Sequence, residues 1–256
     1  MRPGLACGLL SLAASVQLQL FAQAAAVAAN PNRAEVPVPF IGCVSYGQTE
    51  FLEAPKGTSK SVPISPDDAQ KLAYYASADG IGILAPRGWF CEGVSGSSGP
   101  ALFVSPKPIK RGLTGQEGFE GPAIEISHTT SDAIGRLEIA EIMARMFPAY
   151  RAFARRAWDG IDAPLPSGPY PKDTLKYRSK AVVEYVTPPY TEGLGTHFSW
   201  LKKNDSPIAG TAILIGDPPV DLLLLSMRLP RDLARLTPVI IRDVERDAVH
   251  PSHEGR

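Results

Sequence analysis

The chain has 256 residues, 44% of them hydrophobic and 20% charged, with 26 basic and 26 acidic side chains and a formal net charge of zero. A length of this order holds one large domain or two small lobes. Charge balanced to zero, with both signs mixed along the chain, argues against nucleic acid as a partner, which requires a concentrated basic surface.

The first residues read as a secretory signal. Arg2 is the only charged residue before Arg33, and Leu5 to Phe21 is almost wholly apolar or small. Ala22-Gln23-Ala24 and Ala26-Val27-Ala28 both offer the small-x-small pattern of a signal-peptidase site, and cleavage after Ala28 is preferred. A membrane anchor is the alternative. Gln17 and Gln19 interrupt the run, which falls short of the ~20 apolar residues of a spanning helix. Val220 to Met227 is the nearest later approach to a span, and Asp221 and Ser226 break it. The expected location is the periplasm or the exterior, with no integral membrane segment left after cleavage.

Next, Phe40 to Tyr46 is expected as a short strand. A helix is expected from Ser65, which supplies a cap before Pro66, Asp67 and Asp68, with Ala69, Leu72, Ala73 and Ala76 on one face and Asp79-Gly80 as its stop. Strands are predicted at Ile81–Ala85, Gly88–Val94, Ala101–Ser105 and Ala123–Ser127, with a tight Gly-Ser loop from Ser95 to Pro100. A second helix is predicted from Asp132 to Phe147, and helix resumes over Tyr150 to Trp158. Gly160 to Asp173 carries Pro164, Pro166, Pro169 and Pro171 and should form no regular element. Beyond it, strands are expected at Leu175–Thr187, Thr196–Lys202, Ile208–Ile215 and Asp221–Arg228, with a hairpin turn at Lys203–Ser206. Thr237 and Pro238 open a last helix whose buried stripe is Ile240, Ile241 and Val244.

This order predicts an α+β fold of mostly antiparallel sheet with a few flanking helices. Its expected divisions are a signal (residues 1–28), an N-terminal α+β lobe (29–160), a Pro-rich linker (161–174) and a β-rich C-terminal lobe ending in a helix (175–256). Of three cysteines, Cys7 leaves with the signal. Cys43 and Cys91 remain, and an exported chain favours a disulfide between them over a metal pair or free thiols.

The run Ile83-Leu84-Ala85-Pro86-Arg87-Gly88-Trp89-Phe90-Cys91, then Leu102-Phe103-Val104-Ser105-Pro106, resembles a group of bacterial exported proteins of unknown function. Gly168-Pro169-Tyr170-Pro171-Lys172-Asp173 and Gly193-Leu194-Gly195-Thr196 are similar to that group as well. The resemblance implies a bacterial envelope location and brings no activity.

Candidate chemistry is thin. Gly96-Ser97-Ser98-Gly99 is one residue short of a nucleophile elbow, although Ser98 could pair with His128 or His197 in a spatially assembled hydrolase site. The alternative for that segment is a hairpin loop. Ser199-x-x-Lys202 would need a helix to bring hydroxyl and amine together, and the segment alternates like a strand. His250, His253 and Glu254 make no ordered metal site, so no metal and no cofactor is expected. Glu120, Glu125, Asp132 and Glu138 sit at surface-like positions, and any pairing of carboxylates in space is invisible at this level. Tyr170 and Tyr190, held in proline-rich loops, are candidate ligand contacts or simple loop anchors. With no converging reactive set, the leading expectation is a non-enzymatic binding or accessory protein of the envelope, with an unknown ligand or envelope protein as partner. A secreted Ser/His hydrolase is the rival.

Overall fold

The computed structural model describes residues 35–47, 50–131, 135–216 and 221–249. The expected signal and cleavage sites, Asp132 and the histidines of the tail lie outside them. In chain order the strands and helices are β1 (Val36–Cys43), β2 (Ser45–Tyr46), β3 (Phe51–Leu52), β4 (Ser59–Val62), α1 (Pro66–Ala69), β5 (Leu72–Ser77), β6 (Gly82–Pro86), β7 (Phe90–Gly96), β8 (Gly99–Ser105) and β9 (Ala123–Thr129). There follow α2 (Gly135–Met146), α3 (Arg151–Ala157), β10 (Thr174–Tyr177), β11 (Val182–Thr187), α4 (Leu194–His197), β12 (Ile208–Ile215), β13 (Asp221–Arg228) and α5 (Thr237–Val249).

The fold is α+β. Nine strands form one sheet in the order β10-β11-β12-β13-β9-β8-β7-β2-β3, and four form another in the order β4-β1-β5-β6. All neighbours are antiparallel except β1 with β5 and β2 with β7. After Cys43 the chain leaves the small sheet, passes Val44, and joins the large one at Ser45 opposite Gly93. Cys43, the last residue of β1, and Cys91, on β7 of the other sheet, are joined by a disulfide with α-carbons 5.5 Å apart, within the range such a bond accepts.

The apolar pattern explains the layers. β12 and β13 read Ile-Ala-Gly-Thr-Ala-Ile-Leu-Ile and Asp-Leu-Leu-Leu-Leu-Ser-Met-Arg, so both faces of each strand are apolar. Such a run suits a strand covered on both sides. Ile213, Leu225 and Met227 face the small sheet and the Val239–Val244 stripe of α5, in one core. Ala212, Leu214, Leu222 and Leu224 face the opposite way, against Ile142, Met143 and Phe147 of the α2–α3 layer. A third, smaller cluster holds Phe103, Phe119, Leu201 and Ile208.

Several expectations need correction. The Ser65 cap is real: its Oγ accepts the Asp68 N–H at 3.1 Å and donates to the Asp68 carboxylate at 2.6 Å. The helix ends after one turn, because Arg87 takes the carbonyls that would continue it. Its main-chain N–H donates to Lys71 O, and its guanidinium donates to Leu72 O and Ala69 O. Leu72–Ser77 then runs as β5, in keeping with the preference of Tyr74 and Tyr75 for strands. Thr196–Lys202 is not a strand: α4 makes one turn there, and only Leu201 forms an isolated bridge, with Phe119. Lys203–Ser206 therefore turns between a loop and β12 rather than within a hairpin. Residues 161–173 carry no strand or helix, as expected. The two expected lobes nevertheless share one sheet, since β13 pairs with β9 over seven residues, from Leu222↔Thr129 to Arg228↔Ala123.

Candidate functional site

β9 alternates. Ile124 and Ile126 enter the core between the sheets, which sends Glu125, Ser127 and Thr129 to the other face. There a cleft of about 370 Å³ opens, lined by these three together with Glu138, His197, Ser199 and Trp200. Glu125 is 6% exposed. Burial, with the nearby Glu138 charge adding to it, pushes its carboxyl from an ordinary 4.5 up to about 8, against the hydrogen bond from Trp200 that favours the charged form. Glu125 is therefore uncharged at neutral pH.

Two elements bring the other groups over it. α2 starts beyond Thr129 and presents Glu138, whose Oε1 accepts the Thr129 hydroxyl at 3.2 Å. Burial raises the Glu138 carboxyl as well, opposed by that hydrogen bond. The loop after α4 folds back so that the Trp200 N–H donates to Glu125 Oε2 at 2.6 Å. Trp200 is fixed from behind: its carbonyl accepts the Phe119 N–H at 2.7 Å, and its ring meets Phe103 edge-on at 5.9 Å. Trp200 as a whole is 41% exposed and lines the cleft. His197, the last residue of α4, stands exposed at the rim, with Nδ1 3.5 Å from Glu192 Oε1. Lys203 pairs with the same Glu192 and holds its carboxyl below the ordinary range.

The candidates read from sequence divide between the faces of the sheet. Ser98 reaches the rim of this cleft, but as the second residue of a two-residue hairpin turn, with its carbonyl accepting the Thr130 N–H. Gly99 serves that hairpin: its φ is +125°, and a Cβ there would meet His128 O at 2.0 Å. The His128 side chain points the opposite way, with Nε2 3.3 Å from Asp221 Oδ2, beside a separate cavity of about 570 Å³ that also includes Tyr74 and Asp243. Ser98 and His128 are therefore not a nucleophile and its base. Of the Ser-x-x-Lys pair, Ser199 Oγ donates to Gly195 O at 2.5 Å and Lys202 lies 3.9 Å from Glu117. Tyr170 packs under the Arg145 guanidinium, 4.3 Å from the ring centre, and 5.8 Å from the His197 ring, so it buttresses the rim. Tyr190 is exposed, with φ at +55°. Glu120 is exposed, whereas Glu125 and Glu138, read from sequence as surface positions, meet in the cleft. Among the described residues no group of three or more His, Cys, Asp or Glu could hold a metal, and no helix is long and apolar enough to cross a membrane. No family model, curated protein or solved structure matches the chain.

The Glu125 carboxyl gives the fold a pH signature. A carboxyl harder to ionise in the folded than in the unfolded chain contributes most stability below its unfolded value and loses it as pH rises through the folded one. For Glu125 that window runs from 4.5 to about 8. Asp243, raised by burial from 3.8 to about 6, acts with the same sign but is spent at lower pH. Urea denaturation between pH 6 and 8 should therefore show wild-type stability falling by roughly 2 kcal/mol, a unit of pKa being about 1.4 kcal/mol. The Glu125→Gln variant should show a markedly shallower fall, and equal slopes in the two proteins would refute the assignment.

Proposed function

We propose that the chain is an exported protein that binds a small hydroxyl-rich molecule, of the carbohydrate class, in the Glu125–Glu138 cleft. The observation that carries this reading is the union, in one cleft, of two carboxyl groups, four hydroxyl side chains and a half-exposed tryptophan. Sugars need both kinds of surface. Their hydroxyls exchange hydrogen bonds with carboxyl and hydroxyl groups, and the apolar face of a pyranose lies against an aromatic ring. Export is supported by the signal-like N-terminus, by the Cys43–Cys91 disulfide, and by the resemblance of the Pro86–Cys91 run to bacterial exported proteins. A periplasmic or secreted location follows from the same reading.

The test uses the indole itself. Titrating the protein with N-acetylglucosamine, glucose and galactose oligosaccharides should give a saturable change of tryptophan fluorescence with at least one series. The Trp200→Phe variant should lose that signal, and Trp200→Ala should bind at least tenfold more weakly by calorimetry. Absence of saturable binding to every series would refute the reading.

A further inference from the structure

We infer that the cleft not only holds a glycan but hydrolyses its glycosidic bond, with Glu125 as the proton donor and Glu138 as the base that activates water. The inference rests on the carbohydrate reading above.

Its basis is the contrast between the two carboxyls. Glu125 projects from the middle of a central strand into the floor of the cleft, is almost fully buried, and is oriented by a main-chain N–H on Oε2. Glu138 enters from a different element, α2, is half-buried, and is oriented by Thr129 through Oε1. A rigid strand and a helix thus hold two carboxyl groups over one space that opens to solvent. Environments that differ in this way sort a carboxyl pair into acid and base. Burial keeps the proton on Glu125 at neutral pH, as its acid role demands. The groups that face the pair are the Tyr185 hydroxyl from β11, Glu141 farther along α2, and His197 from α4. Tyr185 donates or accepts only within the sheet, to Leu225 O and Ser226 Oγ, so it does not compete for the proton.

The step balances without a cofactor. The C1–O bond breaks as Glu125 passes its proton to the leaving oxygen, which departs as an alcohol. The oxygen of a water molecule bonds to C1 and gives its proton to Glu138. One water is consumed, two hydroxyl-terminated fragments form, and exchange with solvent returns the proton from Glu138 to Glu125.

The experiment measures release of reducing ends from the oligosaccharide that saturates the tryptophan signal, alongside its binding. Wild type should release them at a rate proportional to enzyme. Glu125→Gln should cut that rate by at least a hundredfold, within the range for loss of a general acid. The same variant should lose far less on the 2,4-dinitrophenyl glycoside of the same sugar, whose leaving group needs no proton. Glu138→Gln should slow both substrates, and both variants should still bind. Binding by wild type without any release of reducing ends would overturn the hydrolytic inference and leave the binding reading standing. Absence of both would remove the two together. Hydrolysis that survives Glu125→Gln on the natural linkage would overturn the assignment of the donor.

Discussion

Reduction of the Cys43–Cys91 bridge is expected to lower the unfolding free energy by about 4 kcal/mol, the loop-entropy value for a closure of this length. The bond closes a loop of 48 positions. Its location makes the loss expensive in a second way. β1 belongs to the small sheet and β7 to the large one, and the bridge lies where the chain passes between them. Only two residue pairs, Ser45↔Gly93 and Tyr46↔Val94, join β2 to β7. Few hydrogen bonds therefore replace the covalent tie once it is cut. Cys43 is 1% exposed, and the partly buried Cys91 and Trp89 pack against the same core, so reduction should be slow in the folded state. Cys43→Ala and Cys91→Ala should each lower the thermal midpoint, by similar amounts, and dithiothreitol should have little further effect on either. Two free thiols in the unfolded, unreduced protein would contradict this outright.

Replacing Arg228 with methionine should cost about 3 kcal/mol or more. Arg228 is 3% exposed and its guanidinium points away from solvent. Nη1 donates to Glu120 O and Gly121 O, each at 3.2 Å, and Nη2 donates to Lys202 O. These carbonyls belong to the two loops that meet at the Phe119–Leu201 bridge, and those loops hold Trp200 over Glu125. Methionine fills much of the volume but forfeits several hydrogen bonds from a charged donor to part-buried carbonyls, each worth about 1.5–3 kcal/mol. Arg228→Lys should fall in between, because one ammonium cannot span the same set of carbonyls. Urea denaturation gives the stability, and the tryptophan titration should weaken in parallel. A loss below about 1 kcal/mol would show that the loops are held by other contacts.

Much of the fold was legible because its signals are local. Ile208–Ile215 and Asp221–Arg228 are largely apolar runs of strand length, and both form strands with those bounds. The Thr237–Pro238 start and the Ile240, Ile241 and Val244 stripe gave α5. The cysteine pairing followed from there being two candidates and a single bridge to make. Where a partner distant in sequence decides the outcome, the reading failed. α1 has a sound cap, yet Arg87 stops it from across the strand turn. Thr196–Lys202 alternates like a strand, yet Leu194–His197 makes a helical turn and Trp200 turns back to Glu125 across 75 positions.

The site was hidden for the same reason. In Ala123-Ile-Glu-Ile-Ser-His-Thr129 the polar residues alternate with apolar ones, which is the pattern of a strand with one wet face. Nothing in that stretch reveals that α2 and a loop from the far side of the linker roof over the polar face. The one local hint is a glutamate between two isoleucines in a strand otherwise bound for a core. Ser98 was readable as a turn residue from its flanking glycines. The direction of His128 depended on the register of β9, which a single sequence does not fix.

The position of α5 bears on how the chain acquires its structure. Leu236, Val239, Ile240, Ile241 and Val244 complete the core whose other walls include Val38 and Val62 near the opposite end of the described chain. Those walls must wait for a segment nearly two hundred residues away, which makes their closure slow and late in synthesis. Until residues 237–249 have emerged, Ile126, Leu225 and Met227 have only the small sheet to cover them on that side. A nascent chain stalled before that point would expose apolar strands and depend on a chaperone to keep it from aggregating.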